Sequence, residues 1–298
     1  MKKLFLFLSM FGLAIFSVAQ NHHDVQKMAI NDRPPLDDYR YTFPWLDDYK
    51  TDNTIINRIR VPFGYDRYRN LPGTFAHWLQ HLPLKDGNPK VYLYDGSPKW
   101  NQNAHCYVID IETGTKDLQQ CADALMRLRA EYLYSNDQQD KIHFKYTNGA
   151  VVSYSKWKDG FMPIPQSGGT VQWVASSKAG SGYKKFKDYL IQVYNYAGTH
   201  SLDKELDSIA FSEMQPGDII IEGGFPGHGI IVVDMAKHRE TGEKLFMLAQ
   251  SYMPAQDIQI LRNNNNPKLS PWYSMDEIDY ILDTPEWEFD TDDLRRWN

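Results

Sequence analysis

Along this chain the spacing of apolar residues changes period several times, and each change marks an element. The block GIIVVDMA, Gly229–Ala236, reads as a buried strand, and LFMLAQS, Leu245–Ser251, reads as a second. Between them KHRETGEK carries Thr241–Gly242 as turn chemistry, so the two strands are expected to pair antiparallel. With the loop centred near Arg239–Glu240, His228 falls opposite Gln250 or Ser251, to within about one to two residues. His228 stands at the mouth of its strand in QPGDIIIEGGFPGHGIIVVDMA, where an aliphatic side chain would be easier to bury.

Helical spacing governs TGTKDLQQCADALMRLRAEYLYS, in which Cys121, Ala124, Leu125, Leu128 and Tyr132 share a face. Thr115 is the expected N-cap and Asp117 a first-turn acid, which places Cys121 in the first two turns on the buried side. Arg127 and Arg129 then fall on the solvent sides. YKKFKDYLIQVYNYAG reads as a second helix, and a short one is expected around Thr74–His81. KVYLYDGSP and HCYVIDI read as strands, and KIHFKYTNGAVVSYSKW reads as a hairpin turning at Thr147–Asn148–Gly149. QSGGTVQWVASSKAGSG reads as a Gly/Ser-rich loop. No repeat or interdomain linker interrupts the pattern, which points to one α+β domain over residues 51–298 after an extended polar lead, 20–50.

The first nineteen residues follow a different logic. Two lysines, an apolar run from Leu4 to Phe16 and the small residues of Ser17-Val18-Ala19 form an export signal, leaving a periplasmic or extracellular chain with no stable membrane span. Removing Lys2 and Lys3 takes the net charge from -6 to -8, and the acidic excess gathers in DEIDYILDTPEWEFDTDDL. That balance excludes nucleic acid as a partner, because phosphate binding needs a basic face.

In an exported chain, two cysteines, Cys106 and Cys121, suggest a disulfide. The alternatives are a packed thiol and a reactive one. A cysteine near a helix start is favoured as thiolate by the helix dipole, and a strand histidine beside it would act as its base. Gln250 on the neighbouring strand could hold the far ring nitrogen and fix the tautomer. No other cofactor chemistry emerges. His22, His23, Asp24 and His105 lack compact metal-ligand spacing, so neither metal nor cofactor is expected. GSGYKK and SGGTVQ lack the Gly-Lys-Ser/Thr ending of a phosphate loop.

QPGDIIIEGGFPGHGIIVVDMA resembles the Pro-Gly-Asp, Gly-His and aliphatic-strand segment of NlpC-type cell-wall peptidases, a papain-like branch. The resemblance implies a papain-like core, an N-terminal helix packed on an antiparallel sheet and elaborated by insertions. It implies Cys121 as nucleophile, His228 as general base, Gln250 as orienting residue and Tyr107 at the oxyanion site. Peptidoglycan stem peptides, or another extracytoplasmic peptide, become the implied partner. The family's usual Asp-Cys-Ser-Gly is replaced here by QQCADA, and the long gap from Cys121 to His228 requires residues 141–206 to be an insertion. A second resemblance covers most of the mature chain. LPLKDGNPKVYLYDGSPKWNQNAH, DLQQCADALMRLRAEYLY, GGFPGHGIIVVDMA and LAQSYMPAQDIQIL look like an uncharacterised family of secreted bacterial proteins, domain of unknown function 4846. Two readings follow: a secreted cysteine hydrolase of amidase or peptidase type, or a non-catalytic binding protein on the same fold.

Overall fold

The computed structural model describes residues 37–176 and 179–298. The expected export signal, residues 1–19, the trio His22, His23 and Asp24, and the lead up to residue 36 lie outside the described residues. Nine strands build the main sheet. In chain order they are β1 (Tyr65–Arg67), β2 (His105–Val108), β3 (Asp207–Ser208), β4 (Ile219–Glu222), β5 (His228–His238), β6 (Lys244–Gln250), β7 (Gln259–Leu261), β8 (Trp272–Ser274) and β9 (Leu294–Arg296). They lie in the order β2-β7-β6-β5-β4-β9-β3, with β1 also on β5 and β8 also on β6. Every pairing is antiparallel. The fold is therefore mixed α+β with a largely antiparallel sheet, as the changing hydrophobic periods imply.

Both faces of the central strands are covered, which explains why β5 reads as a nearly unbroken apolar run. Ile219, Ile221, Ile231, Val233, Leu245, Met247 and Ala249 join a first core cluster that also holds Ala122, Leu125 and Leu128 of the cysteine helix, Cys121–Ser135. Ile220, Ile230, Val232, Phe246 and Leu248 face the other way, into a second cluster with Phe289 and Leu294. The β5–β6 register shifts between Met247 and Leu248, so Met247 pairs with Asp234 and Leu248 with Val232. This bulge lets the strand change which residues face the helices, so Val233 and Ala236 both lie in the first cluster.

Several local expectations change. The cysteine helix begins at Cys121, with Gln120 rather than Thr115 as N-cap. Asp123 explains this start: its Oδ2 accepts the Gln120 backbone N–H at 3.1 Å. Asp117 lies ahead of the helix, its Oδ1 taking the Ala255 N–H at 2.7 Å. Arg127 is buried, not solvent-facing. Its Nε donates to Glu131, one turn on in the same helix, at 3.0 Å and its Nη1 to Gln119 at 2.8 Å; what helical spacing cannot register is that segments beyond the helix bury both groups. Arg129 lies over the rings of Phe75, Tyr132 and Trp297.

Within residues 141–206, the 143–145 and 151–153 strands form the expected hairpin. The Gly/Ser-rich stretch contributes a hairpin too, pairing 161–166 with 170–175. Gly168 and Gly169 at its tip both take positive φ, which glycine alone adopts without strain. KVYLYDGSP forms isolated bridges, Tyr92 to Pro98 and Leu93 to Gln256, rather than a strand. Phe75–Gln80 is helical as expected, with Thr74 Oγ1 accepting the His77 N–H at 3.3 Å.

Candidate functional site

The first residue of β5 is His228, directly opposite Glu222 on β4. On the β6 side the register ends at Ala249 opposite Ile231. Continued by one residue, it puts Gln250 opposite Ile230 and makes His228 its diagonal neighbour on the same face. Across that diagonal His228 Nε2 and Gln250 Oε1 are 2.8 Å apart. An amide oxygen only accepts, so Nε2 carries the proton and Nδ1 is left as an acceptor. The sequence reading brought these two side chains together; the loop is centred later in the chain than Arg239–Glu240, and the bulge takes back one residue of that offset.

Beyond Gln250 runs a polar chain that the sequence reading missed. Gln250 Nε2 donates to Glu286 Oε2 at 2.8 Å, and the same carboxylate pairs with the Lys99 ammonium. Asn101 reaches the other Glu286 oxygen at 3.3 Å. Rings enclose the imidazole: Tyr252 at 4.7 Å, Trp287 at 5.4 Å and Phe289 at 5.7 Å. Lys99 and Glu286 sit far apart in the sequence, in segments without a period, so only their acidic and basic character was visible. His228 is 1% exposed. Burial drives its pKa down to about 4, against an opposing effect of the Gln250 hydrogen bond. The ring is therefore neutral near pH 7.

Cys121 is the first residue of its helix and is also buried. The helix dipole favours a thiolate, but burial outweighs it. Burial, then the Asp123 carboxyl, pushes the thiol up to about 11, and the backbone amides of Ala122 and Gly229 offset only part of that. Gly229 is the residue after His228, so the sulfur lies against the peptide at the mouth of β5. The Tyr252 ring packs on His228, and its hydroxyl donates to the Glu286 carbonyl at 3.4 Å.

Among the described residues no hydrogen bond joins the Cys121 sulfur to the imidazole. Strand alternation gives the reason. His228 projects with Ile230 and Val232 toward the second cluster, whereas the cysteine helix packs Leu125 over Gly229 on the first.

Cys106 and Cys121 are both free thiols, so no bridge forms between them. Cys106 is on β2, its sulfur 3.5 Å from Ser270 Oγ. Tyr107, expected at the oxyanion site, pairs with Ile260 on β7 and carries the Arg58 guanidinium over its ring at 5.2 Å. Tyr252 is the tyrosine whose ring packs on His228. His105 is buried, with Nε2 3.0 Å from the Pro89 carbonyl.

Fold and site together define an α+β protein whose largely antiparallel sheet carries a buried His–Gln–Glu–Lys chain, with a helix-borne thiol at its edge. The chain belongs to the family described as a domain of unknown function (4846), whose profile matches residues 55–296. No curated protein and no solved structure matches it. Among the described residues no helix is long and apolar enough to cross a membrane.

Proposed function

We propose that this protein is a cysteine hydrolase performing amidase- or peptidase-type acyl transfer. The observation that carries the reading is the tautomer of His228: Gln250 holds Nε2–H, leaving Nδ1 as a base beside the peptide against which the Cys121 sulfur lies. In this reading Nδ1 takes the thiol proton as sulfur bonds to the amide carbonyl carbon. The resulting imidazolium protonates the leaving amine as the C–N bond breaks. His228 then deprotonates water, which attacks the thioester, releasing the acid and restoring the thiol. Tyr252, rather than Tyr107, supplies a hydroxyl near the developing oxyanion.

At rest both partners are neutral and unjoined, so in this reading the mouth of β5 must rearrange to bring Nδ1 and the sulfur together when a peptide enters. The papain-like, NlpC-type resemblance supports this assignment through its order of helix cysteine, strand histidine and next-strand polar residue. That resemblance and the export signal also make peptidoglycan stem peptides, or another extracytoplasmic peptide, the proposed substrate.

One observation favours a second reading. The missing sulfur–imidazole bond, with both groups buried, suits a non-catalytic secreted binding protein in which His228 and Gln250 are polar core residues. Incubating the purified mature protein with cell-wall peptides, read by mass spectrometry, separates the two. Hydrolysis is expected from the wild type and not from Cys121→Ser or His228→Ala, with peptide slowing iodoacetamide labelling of Cys121 because both compete for the sulfur. Peptides that bind but remain uncut by the wild type would sink the hydrolase and leave the binding protein.

A further inference from the structure

At the other end of the sheet order, a groove of about 520 Å³ is lined by Arg58, Asn88, Cys106, Tyr107, Arg262 and Ser270, among others. Its β2 wall is three strands from β5, or about 14 Å at the usual strand spacing. It is thus separate from His228. The groove has an unusual charge for so acidic a protein: two guanidinium groups line it and no carboxylate does.

Both arginines are held in place by neutral oxygens. Arg58 Nη1 donates to the Lys85 carbonyl at 2.6 Å and to Asn53 Oδ1 at 2.8 Å, and Nη2 donates to the Gly87 carbonyl. Arg262 Nε donates to the Asn103 carbonyl at 3.1 Å and Nη2 to the His105 carbonyl at 2.9 Å. Among the described residues neither forms an ion pair. A guanidinium has five N–H donors, so Arg58 keeps two and Arg262 keeps three beyond these bonds. Carbonyl contacts orient the two cations but leave their charge uncompensated.

We propose that this groove is a binding site for a small anionic ligand carrying a carboxylate or a phosphate. Planar guanidinium groups match the paired oxygens of either group, and the flat face of Tyr107 under Arg58 keeps one of them fixed for docking. Asn88 and Ser270 add neutral polar contacts on the same wall. The site stands independently of any chemistry at Cys121.

Cys106 is a built-in reporter, a half-exposed thiol on the groove wall. Its alkylation by anionic iodoacetate and by neutral iodoacetamide can be compared at the Cys106 peptide by mass spectrometry, with the urea-unfolded chain as reference. The folded protein is expected to raise the iodoacetate-to-iodoacetamide ratio by at least about threefold, because the two cations concentrate the anionic reagent. Millimolar phosphate or succinate is expected to slow labelling, and the anion that protects identifies the recognised group. Arg262→Gln should abolish both effects, whereas Arg262→Lys should retain the charge preference. Circular dichroism confirms that each variant is folded. If neither anion slows labelling of the folded wild type, the proposal is overturned, whatever the reagent ratio.

Discussion

His228 shows how much a single buried ring can set pH behaviour. Its pKa falls from the ordinary histidine value of about 6.5 to about 4, chiefly through burial. Folding therefore holds it neutral while the unfolded chain takes up a proton. Its contribution to stability is complete above pH ~6.5 and is lost as pH falls toward 4, a change on the order of 3 kcal/mol. Cys121 works at the opposite end of the scale. With its thiol raised to about 11, first by burial and then by Asp123, its contribution holds below pH ~9 and declines as pH rises toward 11. Urea denaturation of the wild type and His228→Gln at pH 7.5 and 4.5 tests the histidine. The wild type is expected to lose more stability between those pH values than the variant does, and equal losses would show that His228 is not the titrating group. At this scale Cys121, His228 and Gln250 stood out in the sequence because their residue types fit one chemistry. Tyr252, Lys99 and Glu286 did not, since nothing local to them announces a network assembled from three segments.

At the scale of elements, the cysteine helix and β5 meet at Gly229. A Cβ there would lie 3.0 Å from Leu125 Cδ1 and 3.3 Å from Ile221 Cγ1, closer than most packed carbon atoms come, so those side chains would have to shift. Gly229→Ala should therefore destabilise by about 1–3 kcal/mol, and the same change in a Leu125→Ala background should cost less because the facing side chain has gone. Thermal unfolding of the four proteins supplies the double-mutant cycle, and an undiminished penalty in the Leu125→Ala background would contradict the contact. The β5–β6 hairpin was readable from apolar blocks and turn residues. Its bulge was not, because a residue added to one strand leaves the apolar block unbroken when both faces are buried. The helix start was misplaced for a related reason. Thr115 has capping chemistry, but the chain uses the Asp123 carboxylate to cap Gln120 and spends Asp117 on the Ala255 amide.

Across the whole molecule, Arg127 joins parts that lie far apart in the chain. Besides Glu131 on its own helix, it reaches the Glu112 carbonyl at 2.8 Å and the Tyr183 hydroxyl at 3.2 Å. Tyr183 opens the longest helix of the 141–206 segment, Tyr183–Tyr194, and its hydroxyl also donates to Glu131 at 2.7 Å. Arg127→Ala should cost about 3–5 kcal/mol by leaving Glu131 buried without its cation, and Glu131→Gln should recover part of the loss. Denaturant midpoints decide this, and a cost below about 0.5 kcal/mol would fit the solvent-facing position that helical spacing suggests. The apolar periods alone determined the α+β class, the β5–β6 hairpin, the burial of the cysteine helix and the closeness of His228 to Gln250, because each follows from spacing along a short stretch of chain. Tertiary structure alone decided that Arg127 is interior, that Cys106 and Cys121 stay apart, that the thiol and imidazole project to different faces of β5, and that Lys99 and Glu286 complete the polar chain. Those outcomes depend on which distant segments desolvate one another, and burial rather than local residue order sets their charge.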